Sequence, residues 1–354
     1  MDIKAFLIEL INTSGLSGYE ESIREQIEKT WTSLSDETHI SRLGSLHVLR
    51  RGDLPEPRPS VLLAAHMDAI GLMVNGIIDG FLRVSEIGGL DPRVLPGQFV
   101  TVHGRSDLPG LIVQPPSHLL PTSKRSGAIP LEFLLVDVGL NPEEVNRLVR
   151  IGDLISFALP PKELGEDLLI GHSLDNRASI AALTLCLEEL QQRSLKWDLW
   201  AVATVQEEET LGGALTSAFQ IRPTIAIAID VTFASSPGSP DHKTFPLGKG
   251  VTLGYGPNIH PKLYHVFKDL ADQREIPYKM EAMPRHSGTD AMALQVAAEG
   301  IPTMVVSIPL RYMHTPVEMV SLKDIRRTSR LLAEFVAQLD ENFMKKLSWE
   351  EDNG

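Results

Sequence analysis

Trp200 to Val205 is a short apolar run that stops at Gln206 and delivers three successive carboxylates, Glu207, Glu208 and Glu209. A run of that length, rich in branched residues, predicts a buried strand. In open α/β sheets the chemistry gathers at the carboxyl ends of strands. The same pattern recurs along the chain. Val61 to Ala65 opens onto His66-Met67-Asp68, Ile225 to Ile229 onto Asp230, and the run Thr303 to Ile308 leads into a loop carrying His314. Leu168 to Ile170 leads to Asp175, at the start of a helix whose dipole favours an anion there, although a lone Asp in that place serves equally as a cap. One acidic turn would be an ordinary solvated surface. Several apolar strands that each end in His, Asp or Glu constrain the chain to a sheet whose strand ends meet.

Helical spacing surrounds these strands. Ile3, Phe6, Leu7, Leu10 and Ile11 follow Asp2; Ile23, Ile27, Trp31 and Leu34 form a second face; a last helix spans 322–339. Ser17 with Glu20 predicts a capping box for the second helix, and Asp290 is expected to cap a helix running through Leu294 and Ala298. The alternation predicts an α/β fold, a mixed and largely parallel sheet sandwiched by helices. Residues 71–163 have a different texture. Short β-like runs (81–84, 99–102, 111–113, 133–136, 154–157) alternate with Gly- and Pro-rich turns, and helix is confined to 142–150. This predicts an inserted small all-β barrel domain. The catalytic domain then comprises 1–70 and 164–354. Within the insert, Pro121 to Ser126 reads as a basic surface loop.

The 46 acidic residues outnumber the 33 basic ones, and a net charge of −13 argues against nucleic acid or an anionic membrane as partner. No stretch approaches the roughly 20 apolar residues that span a bilayer. Cys186 stands alone, and the first residues lack a secretory signal, so a cytoplasmic location is expected.

His66, Asp175, Glu207, Glu208, Asp230 and His314 comprise two imidazoles and four carboxylates without a thiolate. Such a nitrogen and oxygen donor set suits a dinuclear hydrolase using zinc, cobalt or manganese. Sites of that kind need a bridging acid, one His and one acid for each ion, and one further acid as base. The ions lie roughly 3.5–4 Å apart with a water between them as latent nucleophile. Asp68 shares a strand face with His66 and is placed to fix its ring.

At these positions the chain resembles the tetrahedral (TET) and glutamyl aminopeptidases, metallopeptidase family forty-two, some of whose members carry the label endoglucanase. The resemblance rests on His66-Met67-Asp68, Asp175-Asn176-Arg177, Gln206-Glu207-Glu208, Asp230-Val231-Thr232, Gly288-Thr289-Asp290 and Arg311 to Pro316, in the family's order. It implies an aminopeptidase/phosphorylase-like fold and two divalent metal ions per subunit, most often zinc. Asp175 would bridge them, with His66 and Asp230 completing one and Glu208 and His314 the other. Glu207 would be the general base and Asp68 the orienter of His66, and Asp175-Asn176 would be a cis peptide bond. Substrates would be peptides with a free N-terminus. The β insert would pair subunits into dimers that build a dodecamer. The same donors would also serve an N-acyl amino acid deacylase, or hold metal in a catalytically silent assembly protein. A glycosidase would need two carboxylates but not two histidines.

Overall fold

The structure, a computed structural model, describes residues 1–124 and 127–349. Helices α1 (Ile3–Asn12) and α2 (Glu21–Trp31) open the chain. Asp2 caps α1 by accepting bonds from the amides of Lys4 and Ala5. The capping box expected at α2 does not form. Glu20 is turned instead to accept the amides of Gly18 and Gln206, 2.7 and 3.0 Å away. A distant loop thus outbids the local helix end for that carboxylate. Strands β1 (Glu37–Ile40), β2 (Leu46–Arg50) and β3 (Ser60–His66) follow.

The next six strands are β4 (Gly71–Ile78), β5 (Phe81–Ile87), β6 (Phe99–His103), β7 (Asp107–Val113), β8 (Leu135–Asp137) and β9 (Leu154–Phe157). They close into an antiparallel barrel in the order β4-β5-β8-β7-β6-β9. Alternate residues point inward, so Leu72, Val74, Leu82, Val84, Val100, Val102 and Ile155 fill a core separate from the rest of the chain. Of the run 133–136, Phe133 closes a 3-10 turn from Leu131 and only the last two residues enter β8. The helix α3 (Pro142–Leu148) carries a complete capping box between Asn141 and Glu144. Arg125 and Ser126, the end of the basic loop, lie outside the described residues.

After the barrel come β10 (Lys162–Leu164), β11 (Leu168–Gly171), α4 (Leu174–Leu190), β12 (Asp198–Thr204), α5 (Glu207–Thr210), α6 (Gly212–Ile221) and β13 (Ile225–Phe233). Then follow β14 (Val251–Tyr255), α7 (Pro261–Gln273), β15 (Tyr278–Ala282), α8 (Ala291–Gln295), β16 (Thr303–Arg311), β17 (Glu318–Ser321) and α9 (Leu322–Ala337). The large sheet runs β1-β2-β12-β3-β13-β16-β17-β11-β10, with β14 on β16 and β15 on β14. Its centre, β12-β3-β13-β16, is parallel, and antiparallel pairs extend it on both sides. Parallel strands covered on both faces must be apolar throughout, as Val61 to Ala65 and Ile225 to Ile229 are. Helix α4 is buried on nearly every side, packed against α1, α9 and β3. Among the described residues no helix is long and apolar enough to cross a membrane.

Candidate active site

Each parallel strand ends at the same edge and delivers a donor there. β3 terminates on His66 itself, 1% exposed. β13 continues past Asp230 to Phe233, so this acid projects from within a strand and accepts the amide of Val231 at 2.8 Å. Beyond β12, Gln206 adopts φ +57°, and this left-handed residue turns the chain into the short helix bearing Glu207, Glu208 and Glu209. Gly213 makes that turn possible. A Cβ there would lie 2.3 Å from the carbonyl oxygen of Val205, so only glycine lets α6 start so close to the strand end. Asp175 follows Ser173 (φ +58°), and the Asp175-Asn176 bond is cis. His314 itself has φ +60°.

These loops bring the donors into contact. His66 Nε2 lies 3.1 Å from Asp175 Oδ1 and 3.8 Å from both Asp230 Oδ1 and Glu207 Oε2. On the other side of Asp175, Oδ2 is 3.4 Å from His314 Nε2, which is 3.5 Å from Glu208 Oε2. One potential ligand group is therefore His66, Asp175 and Asp230, and a second is Asp175, Glu208 and His314, with Asp175 common to both. A third group joins His66 to Glu207 and Glu208.

Asp68 touches more than the sequence suggested. His66 Nδ1 is 3.4 Å from Asp68 Oδ1 and 3.2 Å from the Asp68 carbonyl oxygen. The two carboxylate oxygens meanwhile accept the amides of Glu207 and Glu208, at 3.0 and 3.1 Å. Asp68 is completely buried. Glu318, which no strand-end pattern marks, plays a parallel part. Its Oε2 accepts the amide of Asp175 and its Oε1 that of His314, both at 3.0 Å. Asp290 does not cap its helix, which ends at Gln295, short of Ala298. It is buried and accepts the Thr204 hydroxyl at 2.5 Å.

The acids are crowded and desolvated. Burial, then the charges of Asp230, Asp290 and Asp175, push Glu207 up to about 9 against the pull of His66. Burial and Asp175 likewise hold Glu208, Asp230 and Glu318 well above the usual carboxylate range. Burial would also raise Asp175, but bonds from His314 and His66 outweigh it and leave this acid below its ordinary value. Burial lowers His66, yet Glu207, Asp175 and Asp68 overcome it and hold the imidazole well above normal. Glu208 Oε1 is buried with no hydrogen-bond partner. Unpaired buried charge of this density is tolerated where cations are bound. The donor set therefore fits divalent metal on two counts, its chemistry and its orphaned oxygen.

The cluster opens into a cavity of about 470 Å³, whose lining includes Leu211, Phe233, Glu281, Met283, Met292 and Met313. His172 lies beside a different cavity, between barrel and host, its Nδ1 2.8 Å from the Ser173 hydroxyl. His286 and Arg285 are exposed, Arg93 is bonded to Asp91, and Arg311 donates to the Ser235 carbonyl.

The family model for M42 glutamyl aminopeptidase matches residues 44–331. The lysyl aminopeptidase of Pyrococcus furiosus is 38% identical over 339 residues, covering 94% of this chain and 96% of that protein. An aminopeptidase structure from Desulfurococcus kamchatkensis superposes with a TM-score of 0.91 at 32% identity, covering 98% and 99% of the two chains. The TET1 peptidase of Pyrococcus horikoshii, which can assemble into a tetrahedron or a large octahedral shell, gives 0.83 at 30% identity, covering 96% and 100%.

Proposed function

The chain belongs to the M42 glutamyl aminopeptidase family of metal-dependent peptide-bond hydrolases, and from that premise we propose that it removes N-terminal residues from peptides at a two-metal site. His66 and Asp230 would hold one ion, Glu208 and His314 the other, and Asp175 both. The observation that carries this reading is the position of Asp175, whose two oxygens each face one histidine and its partner acid. Bound there, a pair of divalent cations supplies the Lewis acidity that polarises an amide carbonyl and acidifies a water.

The remaining work falls to side chains. Glu207 stands beside His66 but outside both Asp175-centred groups, and with cations in place to offset the burial and like charges that raise it, its carboxylate would accept a proton from the attacking water and pass it to the departing amine. Asp68 holds Glu207 and Glu208 by their amides and His66 by its ring, which fixes the base relative to the ligands. Glu318 does the same for Asp175 and His314. The acidic lining favours a free α-ammonium group over an acylated one. Zinc is the ion we favour, and a cytoplasmic enzyme whose barrels pair subunits into a closed dodecamer is the setting we propose.

Aminoacyl-anilides and their N-acetylated counterparts, offered to metal-free protein titrated with zinc, cobalt or manganese, test the reading. Metal-restored turnover of the free-amine substrates alone is expected. Turnover of only the acetylated set would make the protein a deacylase and overturn the proposal.

A further inference from the structure

Glu20 stands upstream of residues 44–331, which the family model covers, and outside every strand end that delivers a donor to the site. It is nevertheless buried, 6% exposed, and its carboxylate is turned to a loop 186 positions away. Oε1 accepts the amide of Gly18 at 2.7 Å and that of Gln206 at 3.0 Å. Gln206 is the left-handed residue that turns the chain from β12 into the acidic helix. A residue with a side chain keeps such a backbone only where its surroundings over-determine it.

The first amides of a helix find no carbonyl within that helix. Here three in succession go to two buried acids: Gln206 to Glu20, Glu207 to Asp68 Oδ1 and Glu208 to Asp68 Oδ2. The two acids are held as one piece. Ser17 donates its amide to the Ala69 carbonyl at 3.1 Å and Ala69 donates to that of Gly15 at 3.0 Å. The loop carrying Glu20 is thereby laced to the residue that follows Asp68. Two anchors on adjacent amides leave a segment free to pivot about them, and a third anchor at the turn removes that freedom. All three act on backbone, so the carboxylate oxygens of Glu207 and Glu208 are left for a proton and a metal ion. Glu20 itself is not part of the cavity lining.

Resting on the aminopeptidase reading above, we infer that Glu20 is a positioning residue for the reaction, which through the Gln206 amide sets the direction in which Glu207 and Glu208 enter the site. Metal-saturated wild type, Glu20→Ala and Glu20→Gln are compared on an aminoacyl-anilide, with kcat and KM resolved. Alanine should cost about 10- to 100-fold in kcat, the scale of losing a group that orients a ligand. KM should stay within about threefold, because no substrate contact is removed. Glutamine keeps a carbonyl oxygen that can accept both amides, and should recover at least about fivefold of the loss. A merely structural role would lower the melting temperature and leave kcat alone. A kcat for Glu20→Ala within about twofold of wild type, a loss confined to KM, or equal losses in the two variants would overturn the inference while leaving the aminopeptidase standing. Silence of wild type on every free-amine substrate would overturn the underlying reading instead. Should the alanine variant not fold, Glu20→Asp decides the matter. It keeps the charge but is one methylene short of the two amides, so it must show the kcat deficit, and wild-type kcat there would overturn the inference.

Discussion

Asp68→Asn is the most informative single change, because its cost can be worked from contacts. The carboxylate accepts one amide on each oxygen, from Glu207 and Glu208, in a fully buried setting. An asparagine presents an oxygen to one of these amides and an NH₂ group to the other. Whichever way it turns, one charge-assisted bond is lost and a buried N–H faces a donor. Hydrogen bonds to charged groups contribute about 1.5–3 kcal/mol. For a chain of 354 residues the unfolding entropy is about 0.7 kcal/mol per kelvin, so metal-free variant should melt about 2–4 °C below wild type. The larger effect falls on the site, since the displaced segment carries both Glu207 and the proposed ligand Glu208. Loss of a group that orients ligands costs about 10- to 100-fold in metal affinity or activity. Differential scanning calorimetry of the metal-free proteins, metal content by mass spectrometry after dialysis, and kcat/KM on an aminoacyl-anilide measure the three quantities. A variant with wild-type melting, full metal content and activity within twofold would refute the assignment of Asp68 as the clamp of the acidic loop.

Four further outcomes are expected. Glu207→Gln should retain its metal and lose about 10²–10⁴ in kcat; a loss of metal content instead would make Glu207 a ligand. Asp175→Ala removes the oxygen pair common to two ligand groups, so elemental analysis should find both ions gone, and full occupancy would exclude it as the bridge. Burial holds Glu208 and Asp230 well above their ordinary range. These acids carry protons without metal and must release them on loading, so affinity should fall as pH falls. Calorimetric titrations in two buffers of different ionisation enthalpy should report that proton release. His47, buried against Ser217, is lowered from 6.5 to about 4 by burial and by His39. The unfolded chain then binds a proton that the native one refuses, so this residue leaves stability intact above pH 6.5 and erodes it as pH falls toward 4. The erosion is up to about 3 kcal/mol, and His47→Gln should flatten the urea midpoint between pH 7 and 4.5.

Much of the candidate site was legible because parallel strands write the position of their terminal residues into linear sequence. His66, Glu207, Glu208 and Asp230 each follow or lie within an apolar run buried on both faces, and the sheet aligns those runs at one edge. The barrel was legible for a related reason, since its alternating residues and frequent turns contrast with continuous apolar strands. Glu318 and Glu281 carry no such signature. Glu318 opens a four-residue strand and meets Asp175 across 143 positions of chain. Glu281 lies on the edge strand β15, where the residue pattern is polar, and only the register with β14 and β16 turns it into the cavity. Glu20 and Asp290 show the opposite failure. Local capping rules were satisfied on paper, but each carboxylate had a tertiary donor, the Gln206 amide or the Thr204 hydroxyl, and took it.

The insertion point of the barrel also has a physical logic. The chain leaves β3 at His66, passes Asp68 and enters β4 at Gly71, so the barrel springs directly from a loop of the proposed metal site. It touches that site again where β5 ends. The Gly88 amide donates to Glu209 Oε1 at 2.7 Å. A Cβ on Gly88 would lie 2.5 Å from Ile70 and 3.4 Å from Glu208, and one on Gly89 would lie 3.2 Å from His314 Nδ1. Two successive glycines are what allow this strand exit to pass so close to two proposed ligands of one ion. Gly88 moreover has φ +71°, which a side chain would resist even without the contact. The barrel is therefore not a module hung on a self-sufficient host. Its own backbone forms part of the wall behind Glu208 and His314, so any force that seats the barrel also seats those two side chains.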